Sequence, residues 1–364
     1  MKNLPDSRAG FWEKLPKPFF VQAPLANVTD AAFRRVIATY GRPDVMYTEF
    51  VSADGLMLAN VEGRAKLMHD LMFSTAEHPI VAQFFTARPE VMERTAALAQ
   101  ELGFDGVDIN MGCPDKVIER QGAGAKLMLN PTLAQELIYA AKQGSPNLPV
   151  SIKTRLGYNK DILDEWLPAL LGAQPAAVAI HARTRREMSK VPARWERIAR
   201  AVEIRNEMNS NTLIIGNGDL KDIADAREKI VQTGADGAML GRALFGTPWL
   251  FSASTEIAEK KSSGLLVPAV LPDGQGEARL FSQQFPPSLE TRLRIAVEHT
   301  KLFEELLGDV KSFAIMKKHF KAYAEGFHGA KELRTELMET TNAAEVEHII
   351  ERFLSTSTSA TLHL

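Results

Sequence analysis

The sequence contains a single cysteine, Cys113, among 364 residues. One thiol excludes an internal disulfide and any metal site built from several cysteines, and it is typical of proteins from a reducing compartment such as the cytoplasm. The eight histidines are scattered, and no H-E-x-x-H motif occurs. We therefore expect a cytoplasmic protein without a metal site.

Long apolar runs and nucleotide-binding glycine motifs are also missing. No uninterrupted apolar run approaches the roughly 18 residues of a membrane span, and residues 1–17 carry charges and prolines instead of a signal-peptide core. No G-x-G-x-x-G follows a predicted strand, which argues against a resident Rossmann domain for nicotinamide. The net charge of −2 excludes a uniformly basic surface for nucleic acid but leaves room for a local basic face.

What the sequence does contain is a short apolar run followed by an amphipathic segment, repeated about every 30 residues. The apolar runs predict eight strands: Phe19–Gln22, Val45–Thr48, Ile80–Phe85, Val107–Asn110, Val150–Thr154, Ala177–His181, Leu213–Gly216 and Gly237–Leu240. The intervening segments predict helices at Asp30–Tyr40, Pro89–Leu102, Pro131–Gln143, Asp161–Leu171, Trp195–Met208 and Lys221–Gln232. Because strands that are apolar on both faces are typical of parallel sheets, the pattern predicts an α/β protein with a (β/α)8 TIM barrel over residues 19–251. A doubly wound open sheet is the alternative, since the sequence does not give the strand order.

Nearly every predicted strand ends in a residue that can bind a ligand or take part in catalysis. In chain order these residues are Gln22-Ala23-Pro24, Glu49, Gln83, Asn110, Lys153 with Arg155, His181 with Arg183, Asn217-Gly218-Asp219, and Gly241-Arg242. All strand C-termini of a parallel barrel open onto one face, so we expect these residues to surround one active site.

Cys113 follows the fourth predicted strand, in the turn Gly112-Cys113-Pro114. Gly112 permits backbone conformations closed to other residues, and Pro114 fixes the direction in which the chain leaves. A strand end that delivers the amide of Asn110 and then a thiol is typical of how a barrel presents reactive groups. A small thiol buried beneath a loop is the alternative.

The last two predicted strands end in glycine-containing loops, Gly216-Asn217-Gly218-Asp219 and Gly241-Arg242. These loops form the usual phosphate site of this barrel, where glycine lets backbone N–H groups approach the anion and Arg242 can add a bidentate contact. Tight turns without a ligand are the alternative.

Four further strand-end side chains are candidates for ligand binding. Lys153 fits a Schiff-base nucleophile, a phosphate clamp or a cation beside a cofactor ring. Gln83 has an amide that can read the edge of a ring, and His181 with Arg183 can reach the same centre. A polar plug of the barrel mouth is the alternative for His181 and Arg183.

The composition changes on either side of the predicted barrel. Residues 1–18 form an N-terminal extension, and residues 252–287, rich in Lys, Ser, Gly and Pro, predict a linker or irregular excursion. Residues 288–354 carry apolar positions at helical spacing and predict a bundle of three or four helices. The Ser/Thr-rich residues 355–364 predict a disordered tail.

Several of these motifs together resemble the tRNA-dihydrouridine synthase family. The motifs are Ala23-Pro24-Leu25 with Thr29-Asp30 and Phe33-Arg34, Asp108–Pro114, Lys153-Thr154-Arg155, Ile180–Arg185, Gly216–Asp219 and Leu240–Arg242. The resemblance runs from Phe19 to Phe251. Met316–His319 and Gly326–Ala330 extend it, more weakly, to the family's helical RNA-binding domain.

The resemblance implies an enzyme that reduces the C5=C6 bond of a uridine in tRNA with bound FMN and diffusible NADPH. Carried over to this sequence, it gives Cys113 as general acid; Pro24, Leu25 and Ala26 lining the flavin; Gln83, Lys153 and His181 at its ring and ribityl chain; Asn217, Gly218, Asp219, Gly241 and Arg242 at its phosphate; and Asn110, Arg155 and Arg183 at the substrate. A thiol with the ordinary pKa of about 8.5 stays protonated at neutral pH and suits a proton donor. Leu25, Asn27, Lys126 and Ala182 depart from the residues usual in the family, and we expect them to affect only fine specificity.

Two local excesses of basic residues predict where RNA binds. The first basic patch comprises Arg183, Arg185, Arg186, Lys190, Arg194, Arg197 and Arg200, against Glu187 and Glu196. The second basic patch comprises Lys311, Lys317, Lys318, Lys321, Lys331 and Arg334, against Glu325 and Glu332. Solvated helix faces are the alternative for both patches.

Two other functions stay open at this point. An FMN enzyme acting on a free pyrimidine, similar to dihydroorotate dehydrogenase, also combines a barrel with a catalytic cysteine, but it has no need of a basic helical domain. A non-catalytic RNA-binding barrel would hold no flavin and would not depend on Cys113. The sequence does not indicate the oligomeric state, for which we expect a monomer.

Overall fold

The computed structural model describes residues 10–252 and 287–361, with side chains described as far as residue 356. Within these ranges the chain forms an eight-stranded parallel sheet surrounded by helices, followed by a further group of helices. The strands are β1 (Phe19–Gln22), β2 (Met46–Ser52), β3 (Ile80–Phe85), β4 (Gly106–Asn110), β5 (Val150–Arg155), β6 (Ala177–His181), β7 (Leu213–Asn217) and β8 (Gly237–Leu240). The predicted strands are confirmed, although β2 extends further than predicted, to Ser52.

The sheet closes on itself between β1 and β2. Neighbouring strands pair in parallel from β2 through to β8, and β8 pairs with β1. The β1–β2 seam has a single backbone bridge, between Val21 and Val45. Two side chains reinforce this seam: the Asp44 carboxylate accepts from the N–H of Phe20 at 2.7 Å, and the Gln22 amide oxygen accepts from the N–H of Tyr47 at 3.0 Å. The predicted (β/α)8 barrel is confirmed, and the open-sheet alternative is wrong.

Nine helices lie around the barrel within residues 10–252. They are α1 (Ala31–Tyr40), α2 (Ala53–Leu58), α3 (Val61–His69), α4 (Pro89–Glu101), α5 (Lys116–Arg120), α6 (Pro131–Gly144), α7 (Leu163–Gly172), α8 (Trp195–Glu207) and α9 (Ile223–Thr233). The six predicted helices are confirmed, whereas α2, α3 and α5 were not predicted. The helix α3 buries none of its residues, so its sequence carries no apolar stripe, and α2 and α5 are too short to show one.

Burial explains why the strands have continuous apolar sequences. Every residue of β1, β3, β4 and β8 is buried, because one face of each strand fills the barrel and the other packs against helices. Trp12, from a short 3-10 helix before β1, joins this interior core and packs against Phe19 at the N-terminal end of the strands. The described part of the predicted N-terminal extension is therefore part of the barrel.

The C-terminal helices dock on the barrel through a shared apolar core. They are α10 (Leu289–Leu307), α11 (Met316–Tyr323), α12 (Ala330–Glu339) and α13 (Ala343–Thr361). Ala32 and Val36 of α1, together with Trp249, are buried in one cluster with Leu293 and Phe303 of α10. The predicted group of helices is confirmed, and its core continues into the barrel domain.

Three features of the chain outside the core complete the description. Apart from its ends, the predicted linker over residues 252–287 lies outside the described residues. The Ser/Thr-rich composition predicted a disordered tail from residue 355. In the structure the backbone of α13 stays helical to Thr361. Among the described helices, none is long and apolar enough to cross a membrane.

A buried ion pair between α1 and the loop before β3 gives a test of the fold. The Arg34 Nε atom lies 2.7 Å from the Glu77 Oε2 atom, and both side chains are fully buried. We expect Arg34→Met to lower the free energy of unfolding by about 3 kcal/mol, because the buried Glu77 carboxylate loses its nearest cation and keeps only a 3.9 Å contact with Arg35. Denaturant unfolding of the purified variants measures this change.

The matched control is Lys66→Met, which removes an exposed ion pair with Glu62 on α3. Its expected cost is below about 0.5 kcal/mol. Equal destabilisation by the two substitutions would contradict the importance assigned to the buried pair.

Candidate active site

A cavity of about 350 Å³ opens at the C-terminal ends of the barrel strands. Thirteen of the predicted site residues line it: Pro24, Leu25, Ala26, Asn110, Cys113, Lys153, Arg155, His181, Asn217, Gly218, Asp219, Gly241 and Arg242. Gln83 and Arg183 do not line the cavity and lie behind its wall. The rim thus brings most of the strand-end residues to one cavity, whereas Gln22 and Glu49, which were expected there with Gln83 and Arg183, are buried and do not line it either.

A buried hydrogen-bond network beneath the cavity explains the position of Gln83. Its amide nitrogen donates to Asp108 Oδ2 at 2.7 Å, and its amide oxygen accepts from the Asn110 side chain at 3.0 Å. Asp108 Oδ1 accepts from the Ser151 hydroxyl at 2.6 Å. Burial raises the pKa of Asp108 to about 7, and these hydrogen bonds together with the Lys153 charge oppose the shift. The sequence assigned Gln83 to a ligand, whereas its polar atoms are engaged by Asp108 and Asn110.

Asn110 holds the turn that carries the cysteine. Its side-chain oxygen accepts from the N–H groups of Gly112 at 3.1 Å and Cys113 at 2.9 Å. From the other side, Arg155 Nε donates to the Gly112 carbonyl at 2.7 Å. Ala125 N–H donates to the Cys113 carbonyl at 2.9 Å. The turn is thus fixed by side chains from two strands, and both Asn110 and Arg155 have a structural task in addition to lining the cavity.

The Cys113 side chain lies at the cavity wall and is partly buried. It packs against a small apolar cluster that includes Phe85, Ile118 and Ala123. Burial raises the pKa of the Cys113 thiol above its ordinary value. The group is therefore a neutral thiol at physiological pH, which is the form that can donate a proton.

Lys153 and His181 place one cationic and one neutral nitrogen donor beside the cavity. The Lys153 ammonium lies 3.4 Å from the Asn217 side-chain oxygen, and burial followed by repulsion from Arg155 lowers its pKa to about 8. Burial and the neighbouring cations hold the pKa of His181 far below its ordinary value, so the ring is neutral. Because Arg183 donates to His181 Nε2 at 2.9 Å, the ring proton is on Nδ1.

Arg183 is a support for the site. Its side chain is only 2% exposed, and it forms an ion pair with Asp219 and donates to the Val191 carbonyl at 2.5 Å. Arg183 was predicted to contact substrate; in the structure its donors are directed at Val191, His181 and Asp219.

The loop after β7 requires glycine at position 218. Gly218 has a φ of +126°, and a Cβ there would lie 2.9 Å from the Ala193 side chain. Arg242 is 65% exposed and its guanidinium contacts Asp219 at 2.6 Å. Hydrogen bonding from Arg183 lowers the pKa of Asp219, so this residue is a carboxylate and would repel a phosphate. Asp219, which was predicted to bind the phosphate, forms ion pairs with Arg183 and Arg242.

The first basic patch is largely neutralised. Carboxylates pair with Arg183, Arg185, Arg194, Arg197 and Arg200. Glu187 was already in the sequence count, but Asp219, Glu119, Asp161 and Asp164 are distant in sequence and were not. The sequence count included only neighbouring acids, so its local excess of positive charge is wrong. In the second basic patch Lys311 is buried in ion pairs, whereas within the described residues no carboxylate lies within 4 Å of Lys317, Lys318, Lys321, Lys331 or Arg334.

Phe50 is a cavity residue that the sequence did not reveal. The register between β2 and β3 shifts between Tyr47 and Phe50, so that β2 contains a bulge. The Thr48 hydroxyl sits in this bulge and accepts from the N–H of Gln83 at 3.1 Å. A bulge changes which side chains face inward, and Phe50 consequently lines the cavity. Sequence alternation alone gives no signal for such a shift.

Comparison with known proteins extends over nearly the whole chain. Residues 21–359 match the family model described as dihydrouridine synthase. A Staphylococcus aureus (strain Mu50) protein named "Probable tRNA-dihydrouridine synthase" is 37% identical over 348 residues, which cover 95% of this chain and 96% of that protein. A Bacillus subtilis (strain 168) protein named "Probable tRNA-dihydrouridine synthase 2" is 38% identical over 344 residues, covering 94% and 96%. The similarity therefore includes the helical domain as well as the barrel.

The raised pKa of Cys113 predicts slow alkylation. At pH 7 to 8 we expect iodoacetamide to modify the folded protein at least about tenfold more slowly than the same chain unfolded in urea, because less thiolate is present and access is restricted. The rate should rise steeply at more alkaline pH. The single cysteine makes the mass shift unambiguous. A folded thiol that reacts faster than the unfolded one near neutrality would mean that its pKa is lowered.

Proposed function

The chain belongs to the dihydrouridine synthase family, and we propose that it reduces uridine in tRNA to dihydrouridine, with FMN as bound cofactor and NADPH as reductant. Its family membership, predicted from the motifs, is confirmed by the match over residues 21–359. The observation that carries the finer proposal is a lone neutral thiol at the wall of a cavity whose other polar groups are mostly cationic or neutral donors.

The cavity residues fit a planar ring with a phosphate tail. The volume of about 350 Å³ is within the range of small-molecule sites. The backbone at Gly218 and Gly241, with the exposed guanidinium of Arg242, would hold the phosphate. Lys153 and the Nδ1–H of His181 would face the more central part of the cofactor. Pro24, Leu25 and Ala26 would supply an apolar wall.

Cys113 and Lys153 divide the proposed chemistry. Bound flavin would supply a hydride to C6 of the uracil ring, and NADPH would restore the reduced cofactor. The Cys113 thiol would donate its proton to C5, where negative charge develops, so that two hydrogens saturate the C5=C6 bond. The Lys153 ammonium would stabilise negative charge in the site. Because nicotinamide and substrate can use the site in turn, no separate nicotinamide domain is required.

A uridine must leave its base stack to reach this cavity, which costs a few kcal/mol. Contacts to the RNA backbone must offset that cost. In the second basic patch, Lys318, Lys321 and Lys331 are exposed and have no carboxylate within 4 Å among the described residues. These lysines lie on α11 and α12. Of the predicted RNA footprint, they are the cations that are not already engaged by carboxylates and can bind phosphates.

Replacing the thiol tests the proposed chemistry. We expect purified wild-type protein to show the absorption spectrum of oxidised flavin. Cys113→Ala should retain that spectrum and lose about 10²- to 10⁴-fold in dihydrouridine formation on a tRNA transcript, because the proton donor is removed. Mass spectrometry of digested tRNA measures the product.

The two alternative functions, a free-pyrimidine dehydrogenase and a non-catalytic RNA-binding barrel, are tested with the same protein. Free uridine or orotate is offered as substrate for the first, and flavin colour with tRNA binding is measured for the second. Turnover of the small molecule at the rate of tRNA would favour the free-pyrimidine dehydrogenase. Colourless protein, with tRNA binding that is unchanged in Cys113→Ala, would favour the non-catalytic barrel. Full activity of Cys113→Ala on tRNA would contradict its assignment as the acid.

Reversing charge on the second basic patch tests the RNA surface. We expect Lys318→Glu with Lys321→Glu and Lys331→Glu to weaken tRNA binding at least about tenfold and to lower the slope of log Kd against log salt by roughly one for each lost phosphate contact. Arg200→Gln is the control, since the Arg200 guanidinium is already paired with Asp164 and Glu207. Equal effects of the two variants would contradict this footprint.

A further inference from the structure

We propose that Lys311, from the turn after α10, is a positioning residue for the cofactor side of the cavity and that it acts through Glu49. The sequence placed Lys311 among the RNA-binding cations. Its side chain is only 14% exposed, however, and lies between two carboxylates of the barrel domain: Glu49 Oε2 at 2.5 Å and Asp70 Oδ1 at 2.7 Å. This inference rests on the proposed function only where it concerns flavin.

Glu49 connects Lys311 to the wall of the cavity. Glu49 lies in the bulge of β2, and its side chain is almost fully buried. Its two oxygens have different partners: Oε2 contacts Lys311, and Oε1 accepts from the backbone N–H of Asn27. Glu49 is therefore a bridge between the helical domain and the loop that follows β1.

The loop after β1 depends on that bridge at its apex. Residues 25–29 form one closed turn, in which Val28 and Thr29 donate to the Leu25 carbonyl at 3.1 and 3.0 Å. Leu25 and Ala26 of this turn line the cavity. Asn27 has a φ of +52°, a left-handed conformation that Gly and Asn tolerate best. The Asn27 N–H points away from the turn, to Glu49, so Glu49 fixes the orientation of the peptide next to Ala26.

Charge explains why Lys311 is needed to hold Glu49 in place. Burial opposes the Lys311 charge, but Glu49 and Asp70 outweigh it and raise the Lys311 pKa. Asp30, at the start of α1, adds another buried carboxyl group nearby, whose pKa is raised to about 6 by burial and then by the Glu49 charge. Without Lys311, the two carboxylates would remain in a poorly hydrated site with no cation between them, and Glu49 would move away from Asn27.

Amide hydrogen exchange tests the positioning role without requiring any cofactor. In full-length protein, we expect Lys311→Met to accelerate exchange in peptides spanning residue 27 at least about tenfold, while peptides from β4 and β5 keep their protection. Glu49→Ala should have the same effect, and the double variant should be no worse than Glu49→Ala alone, because Lys311 acts through Glu49. Lys311→Arg should restore protection. Lys318→Met, an exposed lysine on the same domain, is the control.

Flavin binding supplies the second measurement. Titration of protein freed of cofactor should give an FMN Kd about tenfold higher for Lys311→Met than for wild type, with Lys311→Arg close to wild type. If Lys311→Met does not fold, Lys311→Gln, which keeps a shorter donor, replaces it with the same expected direction. Unchanged exchange at residue 27 in folded Lys311→Met or Lys311→Gln would overturn the inference. If wild-type protein binds no flavin, the proposed function fails, and the exchange experiment still decides the role of Lys311.

Discussion

The geometry of the site depends on the buried hydrogen bonds that lead from Asp108 through Gln83 and Asn110 to the backbone of Gly112 and Cys113. Every link is a side chain from the end of a barrel strand or the turn after it. A buried polar group without a partner costs about 1–3 kcal/mol, so the chain of bonds admits one arrangement of its members. The position of the turn that carries the only thiol is consequently set by Asn110 at the cavity wall, which is itself held by Gln83 and Asp108 inside the barrel.

The electrostatics of the cavity depend on which of the charged groups around it already have partners within the protein. Most carboxylates near it are already committed: Asp219 to Arg183 and Arg242, and Glu119 to Arg185. Lys153, with its pKa lowered to about 8, has only an amide oxygen at 3.4 Å as a hydrogen-bond partner among the described residues. An anionic ligand beside Lys153 would stabilise its charged form and so raise its pKa towards the ordinary value. The cavity is thus better matched to a negatively charged guest than to a neutral one, independently of family membership.

The sequence predicted the barrel and most of the cavity because both follow from local periodicity. Buried parallel strands have continuous apolar sequences, and the topology of the barrel brings their C-terminal ends together. Prediction from the sequence was less successful where the partner of a residue is distant along the chain. Gln83 and Arg183 have functional side chains at strand ends, yet Asp108 and Asp219 decide where they point. The first basic patch failed for the same reason, since Asp161, Asp164 and Glu119 come from other elements.

The junction of barrel and helical domain argues against treating the two as independent modules. His299 of α10 and His319 of α11 are fully buried against Phe33 of α1: the His299 ring stacks on it at a centroid distance of 5.0 Å, and the His319 ring is tilted to it at 4.7 Å. Burial lowers the pKa of both histidines, that of His319 to about 3, so both rings are neutral in the folded state. An unfolded chain would bind protons at these sites below about pH 6.5, hence the folded state loses stability as the pH falls through that range. Removing the helical domain would expose this surface of α1 and release Glu49, so a truncated barrel would differ from the native one at the cavity as well as at the RNA surface.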